Sequence, residues 1–228
     1  EAGQAEPVAA RLAAAGHDAC AVSGDPSQEA GADAVAAALG DEGVDVLVNN
    51  YGIAAPGRWD DEGTGSWIAM YERNVLSGVR LAKRLVPAMR RRGEGRVVFL
   101  GTVGSVRPRA AMPAYYAAKA ALPAVVLSLA KELAGTGITV NAVSPGVLRT
   151  PEVEAHFRAR AAKKGWGDDW AAIEERAIAE TMGSGSAAKR LGDPAEVAAA
   201  VVFLASRPAA YINGVDLRVD GGAADCVR

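Results

Sequence analysis

Cysteine is almost absent from this chain. Only Cys20 and Cys226 occur among 228 residues, with neither the spacing of a metal site nor the number of a disulfide framework, which fits a reducing compartment. An excess of positive charge is missing too: 25 lysines and arginines face 27 acidic residues, a formal net charge of -2. That balance leaves no broad basic surface for a nucleic acid. The one basic cluster, Arg90-Arg91-Arg92 with Arg96, follows a helix end, where cations complement the helix dipole. No apolar run approaches the ~20 residues of a membrane span, and no signal peptide opens the sequence. These absences predict a cytoplasmic protein with no metal, no nucleic-acid partner and no membrane. What is there in quantity is apolar: half the residues are hydrophobic and 26 are glycine. A chain of this length buries one large core, so residues 1–228 are expected to form a single domain.

Short apolar runs alternate with alanine-rich helical stretches. Ala5 to Ala15 has helical character, and Gly16 stops it where a C-terminal cap belongs. Asp18 to Val22 is a short candidate strand. Ser23-Gly24-Asp25-Pro26-Ser27 is turn chemistry leading into a helix from about Gln28 to Leu39. Val44 to Val48 is a buried strand ending at Asn49-Asn50-Tyr51-Gly52. A long helix follows from Gly65 to Arg92, a strand from Arg96 to Gly101, a helix from near Pro113 to about Leu133, and a strand from Gly137 to Val143. Asp193-Pro194 opens a late helix, and Val215 to Val219 is the last strand. Such βα alternation predicts an α/β fold with a parallel sheet.

One stretch carries chemistry. Tyr115 and Lys119 are four apart on a helix, so phenol and ammonium lie on one face. A free tyrosine titrates near ~10, and a neighbouring cation that favours the phenolate brings it toward neutral exchange. Thirteen residues before Tyr115 stands Thr102, at the carboxyl end of a strand. Ligands of open α/β sheets sit in the crevice outside such strand ends. Asn74 lies within the long helix, although its side chain competes there for backbone groups.

A Ser or Thr, then about 13 residues, then Tyr-x-x-x-Lys resembles the active site of the short-chain dehydrogenase/reductase family, with oxoacyl reductases among the nearest branches. The resemblance covers essentially Ala5 to Gly222. It implies a Rossmann-like, doubly wound parallel sheet in three αβα layers, and reversible hydride transfer between NAD or NADP and a carbonyl or secondary alcohol. Tyr115 is then the general acid/base, Lys119 favours its phenolate and holds the nicotinamide ribose, and Thr102 bonds the substrate oxygen. Asn74, 28 residues before Thr102, holds a water linking the lysine to solvent. Asn50 and Gly52, in a turn resembling the family's Asn-Asn-Ala-Gly, lie against the adenosine half, and Asp25 contacts adenine. Pro145, Gly146 and Val147 face the nicotinamide ring, and Thr150 meets its amide or a phosphate. Residues 151–190, charged and alanine-rich with Trp170, Ile173, Ala177 and Ile178 at helical spacing, form a helical substrate lid. The long helices and the last strand pair copies of the chain into a homo-oligomer, a tetramer or a dimer.

The chain also departs from the family pattern. Thr102 stands for the usual Ser and is stiffer at its first torsion, Tyr51 replaces a small residue, and Pro123 falls inside the catalytic helix, its ring opposed to the Lys119 carbonyl. The opening strand, the Thr-Gly-x-x-x-Gly-x-Gly phosphate loop and the helix after it are not found. By spacing, Asp18 to Val22 matches the family's third strand; the competing alignment makes Ala5 to Ala15 the first helix and Asp25 the ribose-binding acid. With the third-strand reading, the N-terminal βαβ unit is missing from these residues. Two rivals share the scaffold: a dehalogenase-like lyase, which normally carries arginine where Lys119 stands, and a catalytically silent binding subunit.

Overall fold

Four of the five expected strands form in the computed structural model, which describes residues 3, 5–182 and 186–224; Cys226 lies outside them. They are β1 (Val46–Asn49), β2 (Gly95–Leu100), β3 (Ile138–Pro145) and β4 (Asp216–Val219), all parallel, in the order β1-β2-β3-β4. The helices between them are α1 (Glu6–Ala14), α2 (Glu29–Leu39), α3 (Thr64–Tyr71), α4 (Ser77–Arg92), α5 (Pro113–Ala120), α6 (Leu122–Glu132), α7 (Pro151–Lys164), α8 (Trp170–Met182) and α9 (Pro194–Ala205).

Side chains of β2 and β3 alternate between two apolar clusters, as strand geometry requires. Val97, Phe99, Val140 and Ala142 join α2 to α6 on one face, while Val98 and Val143 join Val197 and Leu204 of α9 on the other. The result is the three-layer αβα arrangement. A third cluster joins Phe157, Ala161, Ile173, Ala177 and Ile178 of α7 and α8 to Leu191 and to Ala223 after β4. Its segment leaves and re-enters the body at one point, where Leu148 bridges to Gly192, Arg149 N–H donates to the Gly192 carbonyl and Gly192 N–H to that of Val147.

Asp18–Val22 corrects the sequence reading: it forms no strand. A strand exists through its ladder of backbone bonds, and among the described residues none pairs with this segment in the sheet, of which β1 is an edge. Val46 and Val48 of β1 accordingly stay about two-fifths exposed.

The long helix from Gly65 to Arg92 is not uniform. Between α3 and α4 lies a π-helical turn, Glu72–Leu76, with Asn74 fully buried in it. The Asn74 amide donates to the Met70 carbonyl at 3.0 Å, the local competition that makes Asn a poor α-helical residue. Pro123 has the effect expected of a ring without an amide hydrogen: α5 ends at Ala120, Ala121 N–H bonds back to Ala118, and α6 starts with Pro123 in its first turn. Together α5 and α6 make one 20-residue stretch that is long and apolar enough to cross a membrane by length and composition, which the sequence reading did not register. Its apolar positions Ala118, Leu122, Val126 and Ala130 are buried in the main core.

Candidate active site

Thr102 follows β2 and caps the short turn Val103–Ser105, its hydroxyl oxygen accepting the Gly104 N–H at 3.2 Å. The turn lies close under α5, because Gly104 has no side chain: a Cβ there would stand 2.1 Å from the Tyr116 ring. Tyr116 is thereby packed inward and Tyr115, the next residue, is turned toward the cavity it lines. Thr102 acts on the Tyr115 phenol, favouring its ionised form.

Lys119 lies one turn further along α5. It is 6 % exposed, and its ammonium donates to the Leu100 carbonyl at 2.7 Å. Burial lowers its pKa from 10.5 to about 8. Burial also raises the Tyr115 phenol above its ordinary value, and Thr102 only partly offsets this. Desolvation thus dominates the phenol, while Lys119 gives one of its three donors to a β2 carbonyl.

Asn74 fixes the turn after β1. Its amide donates to the Ile53 carbonyl at 3.0 Å and its oxygen accepts the Ile53 N–H at 3.1 Å. Gly52 fits beside it because it lacks a side chain: a Cβ would stand 2.6 Å from the Asn74 Oδ1 and 3.3 Å from the Lys119 Nζ. Asn50, Gly52, Asn74, Tyr115, Lys119 and Pro145 thus line one cavity of about 480 Å³, at the carboxyl ends of β1, β2 and β3.

The remaining expected residues stand around it. Gly146 and Val147 line an adjoining crevice, and Leu148 borders both spaces. Thr150 caps α7, its hydroxyl accepting the Val153 N–H at 3.3 Å. Asp25 is outside the cavity lining, on an exposed loop, where its carboxylate accepts the Tyr51 hydroxyl at 2.6 Å. Sequence reasoning missed Gly101, which lines the cavity and whose Cβ would meet the Ser144 hydroxyl at 2.3 Å; a glycine between a strand and a candidate catalytic residue was the available signal. It also missed the apolar wall from α9, Val197, Ala198 and Val201, which no local pattern points to.

The donor set suits a nicotinamide dinucleotide: a buried cation and a phenol on one side, and a backbone turn kept free of side chain by Gly52 on the other. Comparisons with known proteins agree. A family model described as enoyl-(acyl carrier protein) reductase matches residues 1–224. The chain belongs to the short-chain dehydrogenase/reductase family. It is 36 % identical to the 3-oxoacyl-[acyl-carrier-protein] reductase of Vibrio cholerae, over 83 % of this chain and 71 % of that protein. The Escherichia coli 3-oxoacyl-[acyl-carrier-protein] reductase is 38 % identical over 78 % of the chain and 66 % of its own length. Among solved structures, the L-sorbose reductase of Gluconobacter frateurii, complexed with NADPH and L-sorbose, superposes with a TM-score of 0.90 at 30 % identity, over 100 % of this chain and 85 % of that one. As a member of the family this chain is an NAD(P)-dependent oxidoreductase that interconverts a carbonyl and an alcohol.

Proposed function

We propose that the reaction runs in the cavity between β1 and α5, with Tyr115 as general acid/base. The observation that carries this is the convergence of Tyr115, Lys119, Asn74 and Gly52 on one space. The nicotinamide supplies the hydride in reduction and accepts it in oxidation. Thr102 donates a hydrogen bond to the substrate oxygen, where negative charge develops, and Tyr115 passes its proton to that oxygen. Lys119 lines the cavity and gives only one of its three N–H donors to the Leu100 carbonyl, so its ammonium keeps donors to hold a ribose hydroxyl and charge to favour the phenolate. Asn74, committed to Ile53 and Met70, shapes the cavity floor beside Lys119 and keeps a place for the water that links the lysine to solvent.

Pro145, Gly146, Val147 and Thr150 serve the nicotinamide side, and Asn50 and Gly52 the adenosine side, with Asp25 at its far end. Residues 151–190 act as a substrate lid on the single domain of residues 1–228; the separate apolar cluster of α7 and α8 and the narrow neck at Leu148 and Gly192 support that reading. The chain works as a homo-oligomer, dimer or tetramer, in the cytoplasm, without nucleic acid or membrane. An apolar groove of about 950 Å³ between α4 and α6, lined by Val79, Val86, Val125 and Leu129, supports pairing through these helices.

Replacing Tyr115 with Phe keeps the ring and removes the proton. Turnover of NAD(P)H with carbonyl substrates should fall by about 10² to 10⁴, the usual worth of a general acid, with circular dichroism and melting unchanged. Wild-type turnover in Tyr115→Phe would refute the assignment.

A further inference from the structure

Tyr51 stands between two cavity-lining residues, Asn50 and Gly52, yet its ring turns away from the cavity to a loop 26 residues earlier in the chain. There the Asp25 carboxylate accepts two hydrogen bonds, both on Oδ1: from the Tyr51 hydroxyl at 2.6 Å and from the Ser27 N–H at 2.9 Å. These donors, the Tyr51 hydroxyl foremost, hold the carboxyl below its ordinary pKa, so it is an anion throughout the neutral range. A carboxylate offers about four acceptor sites, so capacity for a further donor remains. Both side chains are accessible, Tyr51 at 36 %.

The position of this pair is fixed from behind. The loop presses onto α2 so closely that a Cβ on Gly31 would stand 2.0 Å from the Asp25 carbonyl oxygen. The start of α2 is in turn tied to α4, where Arg80 and Arg84 meet Glu29 and Asp33 at 2.7 to 2.8 Å. On the other side, Asn74 holds the turn that carries Tyr51. An accessible aromatic ring beside a preorganised anionic acceptor, on the turn whose flanking residues line the cavity, has the chemistry to receive a flat heterocycle bearing an amino group: the ring stacks and the carboxylate accepts.

We propose that Tyr51 is the residue that sets affinity and base selectivity at the aminopurine end of the dinucleotide, by offering its ring face to the base and by orienting Asp25 toward the exocyclic amino group. The proposal rests on the nicotinamide reading above and adds to it a residue where the family usually has a small one.

The test is a fluorescence titration of the wild-type chain, Tyr51→Phe and Tyr51→Ala with three reduced probes: NADH, its hypoxanthine analogue, and nicotinamide mononucleotide, which lacks the adenosine end. Wild type should prefer NADH to the hypoxanthine analogue, because that base presents a carbonyl to the anion. Tyr51→Ala should bind NADH about tenfold or more weakly, the scale of one lost base stack, with mononucleotide binding unchanged within about twofold. Tyr51→Phe keeps the ring, so it should retain most NADH affinity and lose much of the preference for the amino base. Equal losses for NADH and the mononucleotide in Tyr51→Ala, or no loss for either, would overturn the proposal. Failure of wild type to bind any of the three probes would overturn the nicotinamide reading itself, and this proposal with it.

Discussion

Lys119 carries a linkage that solution measurements can read. Its pKa falls from 10.5 to about 8 through burial, a shift worth about 3 kcal/mol. Below pH about 8 the ammonium is charged in the folded and unfolded chain alike, and the cost of burying it is fully present. Between about 8 and 10.5 the unfolded chain binds the extra proton, so this residue's contribution to stability rises with pH. Activity should move the other way. Once Lys119 loses its proton it no longer presents a cation to the cofactor, so kcat/KM for the reduced cofactor should fall above pH about 8 in wild type. In Lys119→Arg, which stays charged, that limb should vanish even though the overall rate is lower; a limb unchanged near 8 would assign it to another group. At this scale the sequence was legible wherever chemistry follows spacing, as with Thr102, Tyr115 and Lys119. It was silent on the Leu100 carbonyl that holds Lys119 and on where the Tyr51 ring turns, because both depend on chain segments distant in sequence.

The elements show how a local irregularity is placed beside chemistry. Pro123 divides what would otherwise be one helix and leaves Lys119 in the last turn of α5. Because Pro123 occupies the first turn of α6, where an amide hydrogen has no helical partner, its energetic cost is small. Pro123→Ala should therefore change Tm by only a few degrees, about 2–4 °C for each kcal/mol in a chain of this size. Fusing α5 and α6 should shift Lys119 and lower kcat, and unaltered kinetics in a correctly folded variant would show that the break has no bearing on the site. The proline break was legible, since the ring acts through residues within one turn. The π-helical turn at Glu72–Leu76 was only half so: Asn74 marked a misfit, but the widened turn follows from its bonds to Met70 and Ile53. Asp18–Val22 has the composition of a strand and lacks the ladder, a property of neighbours that no single run of residues contains.

At the scale of the whole molecule, the alternating apolar faces of β2 and β3 made the layered sheet legible, while the partition into three separate clusters was not, because clusters form from residues that meet only after folding. The groove between α4 and α6 bears on assembly. Placing a carboxylate on its floor by Val125→Glu should leave a protein that light scattering reports as one 23.3 kDa chain, since an unpaired charge is costly to bury at an apolar contact. A wild-type mass already at that value, with full activity, would dismiss the oligomer. The neck at Leu148 and Gly192 has a consequence of a different kind. Residues 150–191 leave and return within hydrogen-bonding distance of each other and bring their own apolar cluster, so the segment is in effect a cassette plugged into a socket. Moving that cassette between relatives would mean matching its two splice points and two contacts beyond them, Ala188 N–H on the Gly221 carbonyl and Arg109 on the Thr181 carbonyl.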